Sequence, residues 1–146
     1  MSILLPPRPT EQRHAYLLLR LLTGLDFFGH GFTRIFLNTH LSGFAHAMVK
    51  GMAATPLPPS LVLATGYAIP CVELLIGTLL LLGLFTRAAL TLALLLMMLL
   101  MVGITLKQDW DSASIQLIYG LVLAILLYAR QPLDLTWPTL FRRPTR

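Results

Sequence analysis

The sequence predicts an all-α integral membrane protein: a four-helix bundle with a short interfacial helix between spans 1 and 2. The chain has 146 residues, of which 56% are hydrophobic and 12% are charged. With a mean hydropathy of +0.76, it is far more apolar than a soluble domain of its size. The apolar residues form blocks long enough to cross a bilayer, which takes roughly 20 residues in a helix. The net charge of +5 comes from basic residues at the ends of these blocks, a pattern typical of membrane topology rather than of nucleic-acid binding.

The blocks define one membrane domain over residues 1–146. Spans are expected at about 15–37, 61–86, 88–106 and 113–130. Three prolines near the N-terminus predict an irregular segment before the first span, through residue 14. Between the first two spans, apolar residues recur at helical spacing and predict a helix at about 41–53. This helix is expected to lie in the membrane interface or to fold back over the bundle.

Basic residues are distributed unevenly between the two sides of the expected bundle. Four spans place both termini on one side, together with seven basic residues: Arg8, Arg13, Arg87, Arg130, Arg142, Arg143 and Arg146. The other side has three: Arg34, Lys50 and Lys107. Because cytoplasmic loops carry the excess of Lys and Arg, we expect a multi-pass protein of the prokaryotic cytoplasmic (inner) membrane, with both termini in the cytoplasm.

The first span carries four ionisable residues, which is unusual for a membrane helix: Arg20, Asp26, His30 and Arg34. A charge at mid-membrane costs about 2.5–3.5 kcal/mol on insertion scales. Each group therefore needs a partner, water or a function. Asp26, His30 and Arg34 are successive i,i+4 neighbours, so they are expected to share one helical face. Arg20 falls on another side of the helix.

Glu73, near the centre of the second span, is the other carboxylate at membrane depth. Two interpretations stay open for Glu73 and Asp26. In a structural role they pair with Arg20, Arg34 or His30 and fix the register of the bundle. In a functional role the same groups form a polar pocket for a quinone, whose carbonyls accept hydrogen bonds and whose chemistry needs proton carriers. A proton-coupled transporter would use the same residue types as a relay.

Other chemistries lack the residues that they require. No nucleotide-binding loop, serine or cysteine triad, or Cys/His metal cluster is visible. The single cysteine excludes an internal disulfide. We predict no metal site, although haem ligation by His30 stays open.

Two stretches resemble the sequence pattern of the DoxX/DoxD family of small four-helix membrane proteins. In RLLTGLDFFGHGFTR, an arginine is followed by a glycine four residues later and by a His-Gly pair ten residues later, and a basic residue lies four positions after that histidine. ELLIGTLLLLGLFTR matches the family's Glu, Gly, Gly and Thr-Arg sequence, and the closing QPLDL, with Asp134, is similar to its C-terminal segment without the two glycines. The resemblance marks Arg20, Gly24, His30, Gly31, Arg34, Glu73, Gly77, Gly83 and Arg87. Asp26 falls where the family usually has an apolar residue.

The resemblance implies a redox or quinone association, since the family includes the membrane subunit of a thiosulfate:quinone oxidoreductase. We therefore expect a membrane subunit of a quinone-linked oxidoreductase, with quinone as the ligand. The expected catalytic residues are His30, Glu73 and Asp26, and the expected substrate-binding residues are Arg20, Arg34 and Arg87. The expected partners are the lipid bilayer and either partner subunits or further copies of the chain, with no nucleic acid. The alternatives are a non-catalytic anchor or assembly subunit and a small proton-coupled transporter.

Overall fold

The computed structural model describes residues 9–37 and 40–133. These residues form five helices: α1 (Pro9–Phe36), α2 (His40–Gly51), α3 (Pro59–Leu82), α4 (Thr86–Leu106) and α5 (Trp110–Leu133). No strand occurs in these two ranges, so the all-α prediction is confirmed. The expected irregular segment at residues 1–8, the QPLDL match at Asp134 and the C-terminal arginines lie outside the described residues.

The four long helices form a ring in which each contacts two others. Helix α1 packs against α3 and α5, and α4 packs against the same two helices. Helix α2 packs on α3 and α1, so it folds back over the bundle. The core lies between the long helices, and Ile76, Leu80, Leu90 and Leu123 are completely buried in it.

Helices α1 and α3 approach each other closely because glycines remove side chains from their contact. A Cβ added at Gly77 of α3 would overlap the backbone of Phe28, and one added at Gly31 of α1 would overlap the backbone of Leu74. Small residues at a helix contact allow dispersion contacts between the backbones themselves, which drive helix association in membranes. This contact fixes α1 on α3.

Several helices differ in length from the expected spans, α5 among them with three more residues at each end, and two of the boundaries have clear local reasons. Helix α1 begins at Pro9 rather than at about residue 15, because a proline is tolerated in the first turn, where the amide would have no helical partner. Helix α3 ends at Leu82 rather than at about 86, because Gly83 adopts the left-handed conformation with φ 68°. The amide of Leu84 then donates to the carbonyl of Leu79 at 2.9 Å, as in a Schellman cap.

The connection between α4 and α5 is held by Asp109. Its Oδ2 accepts from the hydroxyl of Ser112 at 2.8 Å and its Oδ1 accepts from the Ser112 amide at 3.2 Å. The side-chain bond first, and then the amide bond, hold the pKa of the Asp109 carboxyl below its usual value. This cap fixes the first turn of α5.

Three helices in the described part of the chain are long and apolar enough to cross a membrane: α3, α4 and residues Trp110–Arg130 of α5. Helix α1 has 28 residues, and its length is sufficient, but its charged residues keep it out of this set. The number of spans predicted from the sequence, four, thus stays a prediction.

Candidate functional site

A polar cavity of about 360 Å³ lies at the end of the bundle where α1 ends and α4 joins α5. It is lined by four of the residues singled out in the sequence: Asp26, His30, Arg34 and Glu73. Helix α5 adds Ser112, Ile115, Gln116 and Tyr119, and apolar side chains of α1 and α4 complete the wall. The volume falls within the range of small-molecule sites, roughly 300–1,000 Å³.

An ion pair between α1 and α3 forms one wall of this cavity. Nη1 of Arg34 donates to Oε1 of Glu73 at 2.6 Å and to Oε2 at 2.5 Å. Glu73 is 5% exposed, and the side chain of Arg34 is 28% exposed. The guanidinium also lies 4.6 Å from the ring centroid of Phe44 in α2, a cation–π contact. These contacts fix the position of Arg34.

The ion pair shows which of the possible partners Glu73 takes. Glu73 faces α1, as the cost of a carboxylate in lipid requires. Its direct partner is Arg34, rather than Arg20 or His30, the other two cations considered for a structural role. The glycine contact explains the choice. Gly31 sets α1 against α3 one turn before Arg34, and this brings the guanidinium onto the carboxylate.

A second polar group links α1 to α5. Nε2 of His30 lies 3.7 Å from Oδ1 of Asp26, one turn earlier on the same helix. The hydroxyl of Tyr119 in α5 donates to the same Asp26 oxygen at 3.4 Å. The His30 side chain is half exposed and that of Asp26 is about one-third exposed, so both can reach a molecule in the cavity.

Gln116 is a lining residue that our sequence analysis did not select. It is 8% exposed, and its Oε1 has no hydrogen-bond partner among the described residues. Its Nε2 lies 3.8 Å from the sulfur of Met97. An amide buried without strong partners is costly, so this side chain is suited to bind a ligand or water. The signal was present in the sequence, since Ser112, Gln116 and Tyr119 are spaced i, i+4, i+7 along one helical face.

Two of the expected substrate-binding residues lie elsewhere. Arg20 is buried, with its guanidinium beside Gly83 at the end of α3. Arg87 lies in the first turn of α4 and lines a separate surface cavity with Arg130. Both are at the opposite end of the bundle from Arg34 and Glu73. The cavity therefore contains Arg34 as its one arginine within the described ranges.

The donor groups of the cavity are those of a hydrogen-bonding site. Within residues 9–37 and 40–133, no group of three or more His, Cys, Asp and Glu side chains is arranged to hold a metal ion. Carboxylate, imidazole, phenol and amide side chains instead converge on one space from three helices. Such a set can bind a polar ring and exchange protons with it.

The family model described as DoxX matches residues 15–107. This range covers α1 to α4 and most of the residues that line the cavity. No curated protein and no solved structure matches the chain.

Proposed function

This chain belongs to the DoxX family of membrane proteins, and from that premise we propose that it is a membrane subunit of a quinone-linked oxidoreductase. The observation that carries the proposal is the polar cavity, in which Glu73, Asp26, His30 and Gln116 converge. An anchor subunit has little use for ionisable groups that cost free energy in a membrane. Membership in a family often associated with quinone oxidoreductases supports the same conclusion.

The geometry supports separate roles for the two polar pairs. His30 and the amide of Gln116 are placed to hydrogen-bond the oxygens of a quinone or quinol ring. The Asp26–His30 pair, with Tyr119 on the same carboxylate, is suited to take up and release protons. Glu73 is held by Arg34, so its role is to fix the guanidinium and the wall of the cavity. A quinone supplies two-electron chemistry, and a redox partner subunit exchanges the electrons.

Substitutions at the two pairs test the proposal. Purified His30→Ala and Glu73→Gln are each expected to lose quinone binding by at least tenfold while the protein still accumulates in the membrane. His46→Ala is the matched control, because His46 is exposed and contacts the Ser42 carbonyl of its own helix. If both cavity variants bind quinone as the wild type does and only their thermal stability falls, the polar groups serve the bundle and the anchor interpretation replaces this one.

We further propose that both termini are cytoplasmic and that α2 lies on the outer side. The support is the excess of basic residues beside the termini. In a Cys71→Ser background, which removes the single native thiol, Ser2→Cys and Lys50→Cys are each treated with an impermeant thiol reagent on intact cells. Labelling is expected at position 50 alone. Labelling at position 2 instead reverses the orientation and places the cavity on the cytoplasmic side.

A further inference from the structure

A second, apolar groove of about 540 Å³ lies beside the polar cavity, between α2, α3 and α4. Its walls are mostly hydrocarbon and thioether, with Met48, Met52, Leu61, Ile69 and Leu99 among them, and Arg34 and Lys107 also line it. Methionine side chains are flexible and adapt to irregular apolar ligands. The lining of the groove therefore suits a hydrocarbon chain better than a polar ring.

The groove and the polar cavity share three lining residues: Arg34, Leu100 and Ile104. Arg34 separates the two spaces. Its guanidinium is held by Glu73 at one side and by the ring of Phe44 at the other. The two spaces are therefore neighbours that share a wall, with the polar cavity on one side of Arg34 and the apolar groove on the other.

We infer that the groove takes the isoprenoid chain of the quinone whose ring occupies the polar cavity. The inference rests on the proposed function and adds the part of the ligand that the polar cavity does not bind. A ring with two oxygens and one long hydrocarbon chain matches a polar cavity that lies beside an apolar groove. A ring bound next to Arg34 would bring the start of its chain to the shared wall of Arg34, Leu100 and Ile104, which favours this occupant.

Gly103 of α4 offers a way to fill the groove alone. It lines the groove and is absent from the wall of the polar cavity. A Cβ there meets only Cε of Met52, at 3.5 Å, an ordinary contact. Gly103→Leu therefore adds volume to the groove with little backbone strain. Gly120→Leu on α5 is the matched control, because a Cβ at Gly120 meets nothing within 4 Å.

The experiment compares two probes in mild detergent: a benzoquinone without a side chain and the same ring with a chain of several isoprene units. Wild type and Gly120→Leu are expected to bind the chain-bearing probe at least tenfold more tightly. Gly103→Leu is expected to remove most of this difference and to leave the affinity for the chainless ring within about twofold. Thr65→Leu, also on the groove, repeats the test, since the Thr65 hydroxyl bonds only carbonyls of its own helix.

The outcomes separate this inference from the proposed function. Equal affinities of wild type for the two probes, or a chain advantage that survives in both groove variants, overturns the inference while ring binding stands. A phospholipid that co-purifies with wild type and is lost in Gly103→Leu, without a change in quinone affinity, assigns the groove to lipid and also overturns it. If neither probe binds wild type, the proposed function itself fails.

Discussion

The two helix pairs of the bundle differ in how they are held together. Helices α1 and α3 meet through Gly31 and Gly77, with their backbones in contact, and the same interface contains a buried ion pair. Helices α4 and α5 carry no charged side chain between their first and last turns and meet through Leu, Ala and Met side chains. The first pair thus combines tight packing with buried charges, whereas the second meets through apolar side chains and contributes only uncharged polar groups to the cavity.

This difference shows how a membrane protein keeps a carboxylate in its interior. Glu73 is tolerated because the glycine contact brings a cation to it at hydrogen-bond distance. An apolar interface can absorb volume changes by moving side chains, but an interface between backbones cannot.

The largest loss of stability is expected from a substitution at the close contact between α1 and α3. Gly77→Ala places a methyl group on the backbone of Phe28, so α1 and α3 must separate, at a cost of about 3 kcal/mol or more. Folded yield and thermal unfolding in mild detergent measure this loss. Gly29→Ala on α1 is the control, because a Cβ there meets nothing within 4 Å, and it should stabilise the helix by roughly 0.5–1 kcal/mol. Equal stability of the two variants would remove the distinction between the helix pairs.

The second-largest loss of stability is expected when one partner of the Arg34–Glu73 ion pair is removed. Arg34→Met leaves Glu73 buried without its cation, which costs about 3–5 kcal/mol when both charges are fully buried. Because the Arg34 side chain is 28% exposed, we expect roughly 2–3 kcal/mol from thermal unfolding. Arg34→Met combined with Glu73→Gln should recover most of the loss, since no charge then remains. A double variant no better than the single one would show that the pair contributes only through packing.

A substitution at Gln116 in α5 is expected to weaken ligand binding without a loss of stability. Gln116→Met keeps the length of the side chain and removes an amide whose Oε1 has no partner among the described residues. Stability should change by less than about 1 kcal/mol or should rise, whereas quinone affinity should fall severalfold. A variant that binds quinone normally would exclude Gln116 from the site.

The smallest effect is expected at Asp109, in the connection between α4 and α5. Its folded-state pKa is lowered, so the ionised cap stabilises the fold above the usual pKa of an aspartate, and this contribution is lost as the pH falls through the lowered value. The thermal midpoint should therefore drop at acidic pH more steeply for wild type than for Asp109→Asn, in which the cap does not titrate. Parallel pH profiles of the two proteins would show that the charge of the cap contributes nothing.

The sequence predicted the helices and several residues of the cavity, but it did not decide which of their side chains pair with each other. Apolar blocks bounded by basic residues correctly predicted an all-helical chain, and the ionisable residues in two of them indicated Asp26, His30, Arg34 and Glu73. All four line the polar cavity. Arg34 was one of three possible partners of Glu73, and the choice among them could not be predicted, because it depends on how far α1 is offset along α3. Gly31 decides that offset through a backbone contact that leaves no periodic signal.

Arg20 and Arg87 were expected to bind substrate but lie outside the cavity, for a related reason. Arg20 and Arg87 follow from the family pattern, which records that a residue recurs without recording which end of the bundle it occupies. Helical spacing places Arg20 nearly three turns before His30 and on a different face, and the structure puts it beside Gly83. Gln116 and Tyr119 were overlooked for the opposite reason, since uncharged polar residues in an apolar helix carry a weaker signal than charges.

The low apolarity of α1 bears on how the protein is synthesised. Helix α1 leaves the ribosome before α3, and about 46 more residues must be added after Phe36 before Leu82 is reached. At roughly 5–20 residues per second, that interval lasts about two to nine seconds. Glu73 follows Arg34 by 39 residues, so for most of this interval the cation of Arg34 has been made and the carboxylate that neutralises it has not. The contacts that fix α1, the glycine packing and the ion pair with Glu73, therefore form only after α3 has been made.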